Sequence, residues 1–78
     1  MLVSNKDRLR MAVVGVGNMG RRHARDVYEL GNTELVAICN TGREKADEVA
    51  APYGVPACYD YRDLLAGGGT QAILIATP

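Results

Sequence analysis

The chain has 78 residues, and its nine basic and nine acidic side chains cancel to a formal net charge of zero. A chain of this length makes one small domain that buries only about 60% of the surface its unfolded form exposes, and the balanced, interspersed charge leaves no electrostatic footprint for nucleic acid or an anionic membrane. The opening ten residues hold no signal-like apolar run, and runs such as Ala72 to Ala76 are far too short to span a bilayer, so the expectation is a soluble, cytoplasmic chain.

In chain order, residues 1–8 read as a flexible amino-terminal tail. The first strand is predicted from about Leu9 to Val16, a nearly continuous apolar stretch that suits a strand buried on both faces of a parallel sheet. It runs directly into Gly15-Val16-Gly17-Asn18-Met19-Gly20. A helix follows at once, from about Asn18 to Leu30, with Gly20, Ala24, Val27 and Tyr28 at helical spacing on its packed face and Gly31 as a left-handed stop. The second strand is predicted from Glu34 to Asn40. Thr41-Gly42-Arg43-Glu44 then matches a capping box, so a second helix begins near Gly42 or Arg43, with Ala46, Val49, Ala50 and Tyr53 on one apolar face. Its end lies between the restriction that Pro52 places on Ala51 and the stop signal at Gly54.

Val55 to Tyr59 reads as a short third strand, and Pro56 confines it to an edge. Asp60 caps a brief third helix, Tyr61 to Ala66, that would bury Leu64 and Leu65. After Gly67-Gly68-Gly69 comes the fourth strand, Ala72 to Ala76, and then Thr77-Pro78. Cys39 and Cys58 fall on the second and third strands, too few for a disulfide scaffold and without metal-ligand spacing, and read as free thiols.

Four strands separated by three helices require parallel pairing through right-handed crossovers. The predicted fold class is therefore α/β, a Rossmann-type doubly wound parallel sheet in the order 3-2-1-4, with the first two helices on one face and the third on the other. Ligands of such sheets bind beyond the carboxyl ends of the strands. That rim collects Gly15 to Gly20, Asn40 to Arg43, and Thr77-Pro78, whereas the triple glycine precedes the fourth strand and sits at the opposite end.

The glycine spacing is weak by itself, but strand, glycine turn and helix together meet the context a dinucleotide fingerprint needs. Gly15 permits the tight turn, Gly17 lacks the Cβ that would hold a pyrophosphate away, and Gly20 allows helix and strand to pack closely. Amides opening the helix would then face the phosphates. Asn40 stands twenty residues after Gly20, where a carboxylate would bind ribose hydroxyls and repel a 2′-phosphate. Asparagine removes that repulsion, and Thr41, the Gly42 amide and Arg43 lie beside the ribose edge, so the loop favours NADP slightly over NAD.

The segments AVVGVGNMGRRHARD, ELVAICN and REKADEVAAPYGVPACYDYRDLLAGGGTQAILIATP, with the Y-G-V-P connection at Tyr53 to Pro56 and the terminal A-T-P, resemble the amino-terminal NAD(P)-binding domain of the Gfo/Idh/MocA oxidoreductases. The resemblance covers about residues 9–78 and implies a nicotinamide-dependent dehydrogenase or reductase of sugars, inositols or related polyols. By the same resemblance Gly15, Gly17, Asn18, Met19 and Gly20 border the pyrophosphate, Asn40, Thr41 and Arg43 the adenosine ribose, and Thr77 and Pro78 the nicotinamide side. The family's catalytic lysine lies in an E-K-P segment after the next strand, and its substrate site in a carboxyl-terminal domain. Neither is among these residues, so no catalytic or metal-binding residue is assigned and the chain alone is expected to be inactive.

Asn40 departs from the acidic residue of NAD-using members. His23 matches a histidine of the family's first helix and reads as a structural contact; Tyr59 and Tyr61 read as packing residues, and Arg21, Arg22 and Arg25 as a solvated helix face. Two readings from other classes are a non-catalytic regulatory or redox-sensing Rossmann module and a methyltransferase, the latter disfavoured by Asn40 and the glycine spacing. A four-stranded sheet with only one short helix on its second face should expose apolar surface, so self-association or a further carboxyl-terminal domain is the expected partner, beside the dinucleotide.

Overall fold

The alternation of the central strand explains the layering. In a computed structural model describing residues 8–67 and 69–76, β1 (Leu9–Val14) sends Val13 and Met11 to one side of the sheet and Ala12 and Val14 to the other. The first side is covered by α1 (Asn18–Glu29) and α2 (Arg43–Ala50), whose Ala24, Val27, Val49 and Ala50 join Val13, Val16, Leu35 and Ile38 in the larger core. The second carries α3 (Tyr61–Gly67), whose Leu64 packs with Ala12, Ala37 and Cys39. The remaining strands are β2 (Thr33–Cys39), β3 (Ala57–Cys58) and β4 (Ala72–Ile75). All pairs are parallel, in the order β3-β2-β1-β4 that the chain's element sequence predicts.

Leu35 and Ile38 both join the larger core although they are three residues apart, which strict alternation forbids. A register shift resolves this: Met11 pairs with Leu35 and Ala12 with Ala37, so Val36 has no partner on β1 and the face changes once. Beyond the shift, Val14 aligns with Cys39 and Ile75, and Cys39 with Cys58. The carboxyl ends of all four strands therefore form one row. The glycine run lies at the other end, where the Arg10 guanidinium donates to the Gly69 carbonyl at 2.9 Å. Residues 1–7, Gly68, Thr77 and Pro78 lie outside the described residues, and with them all of the predicted tail but Arg8 and two of the predicted site positions; Arg8 itself is held, its guanidinium donating to the Thr33 carbonyl at 2.7 Å.

Several local expectations are corrected. Gly31 is not left-handed; among the described glycines only Gly15 and Gly54 have positive φ. Instead α1 ends on an extended Leu30, and the buried Thr33 hydroxyl donates to the Val27 carbonyl at 2.7 Å, satisfying a helix-end acceptor without a glycine. The Thr41–Glu44 capping box does not form. The N-cap of α2 is Gly42, with no side-chain cap, so Glu44 is two residues from the cap rather than the three the reciprocal bonds require. At the other end α2 passes into a 3-10 turn, Ala51–Tyr53, closed by Gly54 at φ 68°, so both stop signals act in succession. β3 is shorter than predicted because it is an edge strand with one partner, tied to β2 through the Pro56 carbonyl, which accepts from the Ile38 amide at 3.1 Å. Tyr28 is exposed, with one side against Tyr53 at 4.8 Å between ring centroids.

The second face is the thin one. Leu64 is 5% exposed but Leu65 is 66% exposed, against the expectation that both are buried, because a two-turn helix points only one of two adjacent side chains at the sheet. Leu65, Tyr61, Ile73, Ile75 and Val14 line an apolar groove of about 420 Å³, so the expected exposed apolar surface is present. Leu64→Ala should cost about 2–5 kcal/mol, toward the lower end because the open groove lets the site collapse, whereas Leu65→Ala should be near neutral. Urea denaturation midpoints check the pair, and equal effects would overturn this account of α3.

Candidate functional site

The turn after β1 is built by its glycines. Gly15, at φ 92°, adopts a conformation that side-chain-bearing residues rarely enter, while its amide still donates to the Cys39 carbonyl at 2.8 Å. The chain thus leaves the sheet sharply without losing its last ladder bond. Val16 is completely buried and pins the turn to the core. Gly17 is the N-cap of α1, exposed and extended (φ −66°, ψ −168°), and a Cβ there would meet no atom within 4 Å. Gly20 is the opposite case: a Cβ would fall on the Gly15 carbonyl oxygen, 2.7 Å from its carbon and 3.7 Å from the Ala76 Cβ. Helix and strand end are in backbone contact there.

The first intrahelical bond of α1 runs from the Arg21 amide to the Gly17 carbonyl at 2.9 Å. The amides of Asn18, Met19 and Gly20 come before it and take no backbone or side-chain acceptor among the described residues. No acidic residue occupies the first turn of α1, so these donors and the positive helix end are available to an anion.

Beside the turn opens a cleft of about 390 Å³, lined by Val14 and Gly15 after β1, Cys39, Asn40 and Thr41 after β2, and Tyr59 to Arg62 after β3. This volume lies in the range of small-molecule sites. Its inner wall is formed by Val14 and Cys39; burial there pushes the Cys39 thiol up to about 11, and burial also raises the neighbouring Cys58, both being free thiols paired in register on adjacent strands. Asn40 shapes the rim by donating from Nδ2 to the Gly42 carbonyl at 3.1 Å.

Asp60 caps α3 as expected, accepting from the Arg62 amide at 2.9 Å, and its carboxylate also takes the Arg62 guanidinium at 2.7 Å. Those bonds hold the Asp60 carboxyl down at about 2, so it is a fixed anion already neutralised by its neighbour. The Tyr59 hydroxyl donates to Asp47 at 2.6 Å, a bond that raises its pKa, and the Arg43 guanidinium lies over the Tyr59 ring at 4.7 Å.

Of the residues singled out from sequence, Gly15, Asn40 and Thr41 line the cleft, and Gly17, Asn18, Met19 and Gly20 adjoin it through the turn. Arg43 does not line it but reaches it through Tyr59, and Thr77 and Pro78 lie outside the described residues. Arg21 pairs with Glu48 at 3.0 Å. Tyr59 and Tyr61 are walls of the cleft rather than packing residues, and Tyr61 is 56% exposed. The signal for them was topological, since residues following a third parallel strand emerge at the same rim as those following the first two. Among the described residues no three His, Cys, Asp or Glu side chains gather as a metal site, and no helix is long and apolar enough to cross a membrane.

A parallel sheet in the order 3-2-1-4, with a glycine turn, unpaired helix amides and a cleft at its carboxyl rim, defines a dinucleotide-binding Rossmann domain. The chain belongs to the Gfo/Idh/MocA oxidoreductase family, matching its NAD-binding Rossmann fold over residues 9–78. It is 38% identical over 80 residues to an inositol 2-dehydrogenase of Rhodococcus jostii (strain RHA1), an alignment covering 97% of this chain and 21% of that protein. Among solved structures it is similar to a myo-inositol dehydrogenase from Corynebacterium glutamicum ATCC 13032, with a TM-score of 0.84 and 30% identity over 91% of this chain and 21% of that one. It is also similar to the WlbA dehydrogenase from Bordetella pertussis in complex with NADH and UDP-GlcNAcA, with a TM-score of 0.82 and 32% identity over 91% and 22% of the respective chains. The chain thus spans about a fifth of the length of the relatives it matches.

Proposed function

We propose that this chain is the cofactor-binding portion of an oxidoreductase that moves hydride between a nicotinamide dinucleotide and an inositol, sugar or similar polyol, and that it binds the dinucleotide without catalysing turnover alone. The observation that carries this reading is the adjacency of three unpaired amides, at Asn18, Met19 and Gly20, to a cleft of about 390 Å³, room for the adenosine half of a dinucleotide. The residues fit the cofactor: the space a Cβ on Gly17 would take is empty, so a pyrophosphate can approach those donors. Gly15, Gly17, Asn18, Met19 and Gly20 would hold the pyrophosphate, Asn40, Thr41 and Arg43 the adenosine ribose, and Thr77 and Pro78 would border the nicotinamide. When bound, the nicotinamide ring supplies or accepts the hydride. The apolar groove of the second sheet face is where a second copy or a further domain would pack. Calorimetric titration with NAD and NADP tests the reading, and failure to bind either overturns it.

Within that site the loop after β2 favours NADP. Asn40 places no negative charge where a 2′-phosphate would lie, and a carboxylate there would also oppose the Gly42 carbonyl to which Asn40 now donates. Asn40→Asp should shift the preference toward NAD, and Arg43→Ala should weaken NADP alone by about ten- to a hundredfold, as expected for loss of a hydrogen bond between charged groups. Dissociation constants for both cofactors check this; a wild type that prefers NAD would contradict it.

A further inference from the structure

Arg43 and Asp47 stand four residues apart on α2, the spacing at which an exposed arginine and aspartate ordinarily pair with each other. They do not pair here. The Tyr59 hydroxyl takes the Asp47 carboxylate at 2.6 Å, and the Tyr59 ring lies beneath the Arg43 guanidinium at 4.7 Å. Among the described residues Arg43 has no hydrogen-bond or ion-pair partner, whereas Arg21, Arg25 and Arg62 each hold a carboxylate. A guanidinium stacked on an aromatic face keeps its donors in its own plane and free. Tyr59 in turn lines the cleft together with Asn40 and Thr41, so the stack sets a cation with unused donors beside the ribose end of the site.

We propose that Tyr59 is a positioning residue that sets the cofactor preference: its hydroxyl occupies Asp47, its ring supports Arg43, and Arg43 is thereby kept from collapsing onto its own helix and is presented to a phosphate on the 2′-oxygen of the bound adenosine. The inference rests on the reading that the cleft receives the adenosine half of the dinucleotide. It explains why a tyrosine, rather than a phenylalanine, follows β3, since only the hydroxyl competes for Asp47.

Adenosine 2′,5′-bisphosphate and 5′-AMP differ only in the group that Arg43 would contact, and 5′-AMP also reports whether each variant is folded. Tyr59→Phe should weaken the bisphosphate by about three- to tenfold with AMP unchanged. Tyr59→Phe combined with Asp47→Asn should restore the wild-type ratio, because no carboxylate remains to capture Arg43. In an Arg43→Ala background Tyr59→Phe should have no effect on the ratio. Equal losses on both probes, a loss that persists without Arg43, or no rescue by Asp47→Asn would overturn the role of Tyr59. If Arg43→Ala lowers the ratio while Tyr59→Phe does not, the NADP reading stands and the positioning role falls. If Arg43→Ala leaves the ratio unchanged, or neither probe binds, the underlying reading of the site falls and the proposal with it.

Discussion

Replacing Gly17 by valine should leave the chain folded and cut its affinity for a nicotinamide dinucleotide by about a hundredfold or more, the worth of at least two hydrogen bonds to a charged group. The backbone at Gly17 is extended, a region valine adopts readily, and no atom lies within 4 Å of the added Cβ. The fold therefore loses only the difference between a glycine and a valine N-cap, about 1 kcal/mol. The ligand loses much more. The amides of Asn18, Met19 and Gly20 can reach a phosphate only if it comes up against the bare Gly17 backbone, and branched methyls would fill the space it needs. Calorimetry on the variant, with circular dichroism and a denaturation curve beside it, separates the two effects. Undiminished binding would show that the phosphates lie elsewhere, and an unfolded variant would show that the open space around Gly17 is not open in solution.

How much of this was legible in the sequence depended on whether the cause was local. The parallel strands were, since Leu9–Val14, Thr33–Cys39 and Ala72–Ile75 each carry a nearly unbroken apolar run, the pattern of a parallel sheet made to be covered on both faces, although the second face of Ala72–Ile75 stands open at Ile75. The glycine turn was legible for the same reason: its three glycines serve a geometry completed within six residues. Periodicity identified the helix faces but not what opposes them. Tyr28 and Leu65 have the spacing of packed residues and yet stand mostly in solvent, because nothing in a helix's own pattern says how far the sheet beneath it extends. The bulge at Val36 was hidden as well, since both registers of an all-apolar strand look alike in sequence. The cleft was half legible. Asn40 and Thr41 follow an evident strand, whereas Tyr59 follows a two-residue edge strand, and its links to Asp47 and Arg43 join groups twelve and sixteen residues away in the chain. The expected capping box failed by one residue, which no propensity resolves, because the position of the cap is set by how the chain leaves β2 and by the Asn40 bond to Gly42.

Gly20→Ala should destabilise the chain by about 3 kcal/mol or more, although helix propensity alone points the other way. Alanine is favoured over glycine within a helix by about 1 kcal/mol, and Gly20 lies in the first turn of α1 with no unusual φ. The opposing term is steric. The new methyl would be driven into the Gly15 carbonyl, which belongs to the backbone of the turn, and Gly15 is itself fixed by its left-handed φ and its bond to the Cys39 carbonyl. Neither side can yield without moving α1 off the end of β1, where Val16, Ala24 and Val27 anchor it to the larger core. For a chain of 78 residues, whose total stability is about 4–12 kcal/mol, such a loss is a large fraction of the whole. It should lower the melting temperature by about 12 °C or more. Gly31→Ala is the matched control, since Gly31 is exposed, has no positive φ and meets no atom within 4 Å of an added Cβ; it should melt close to wild type. A Gly20→Ala variant that melts as high as the wild type would mean that propensity outweighs contact and that the glycine turn is softer than its geometry indicates. A low melt for Gly20→Ala beside an unchanged Gly31→Ala would instead place the cost in the backbone contact between α1 and the turn after β1, the contact that holds the unpaired amides of α1 beside the cleft.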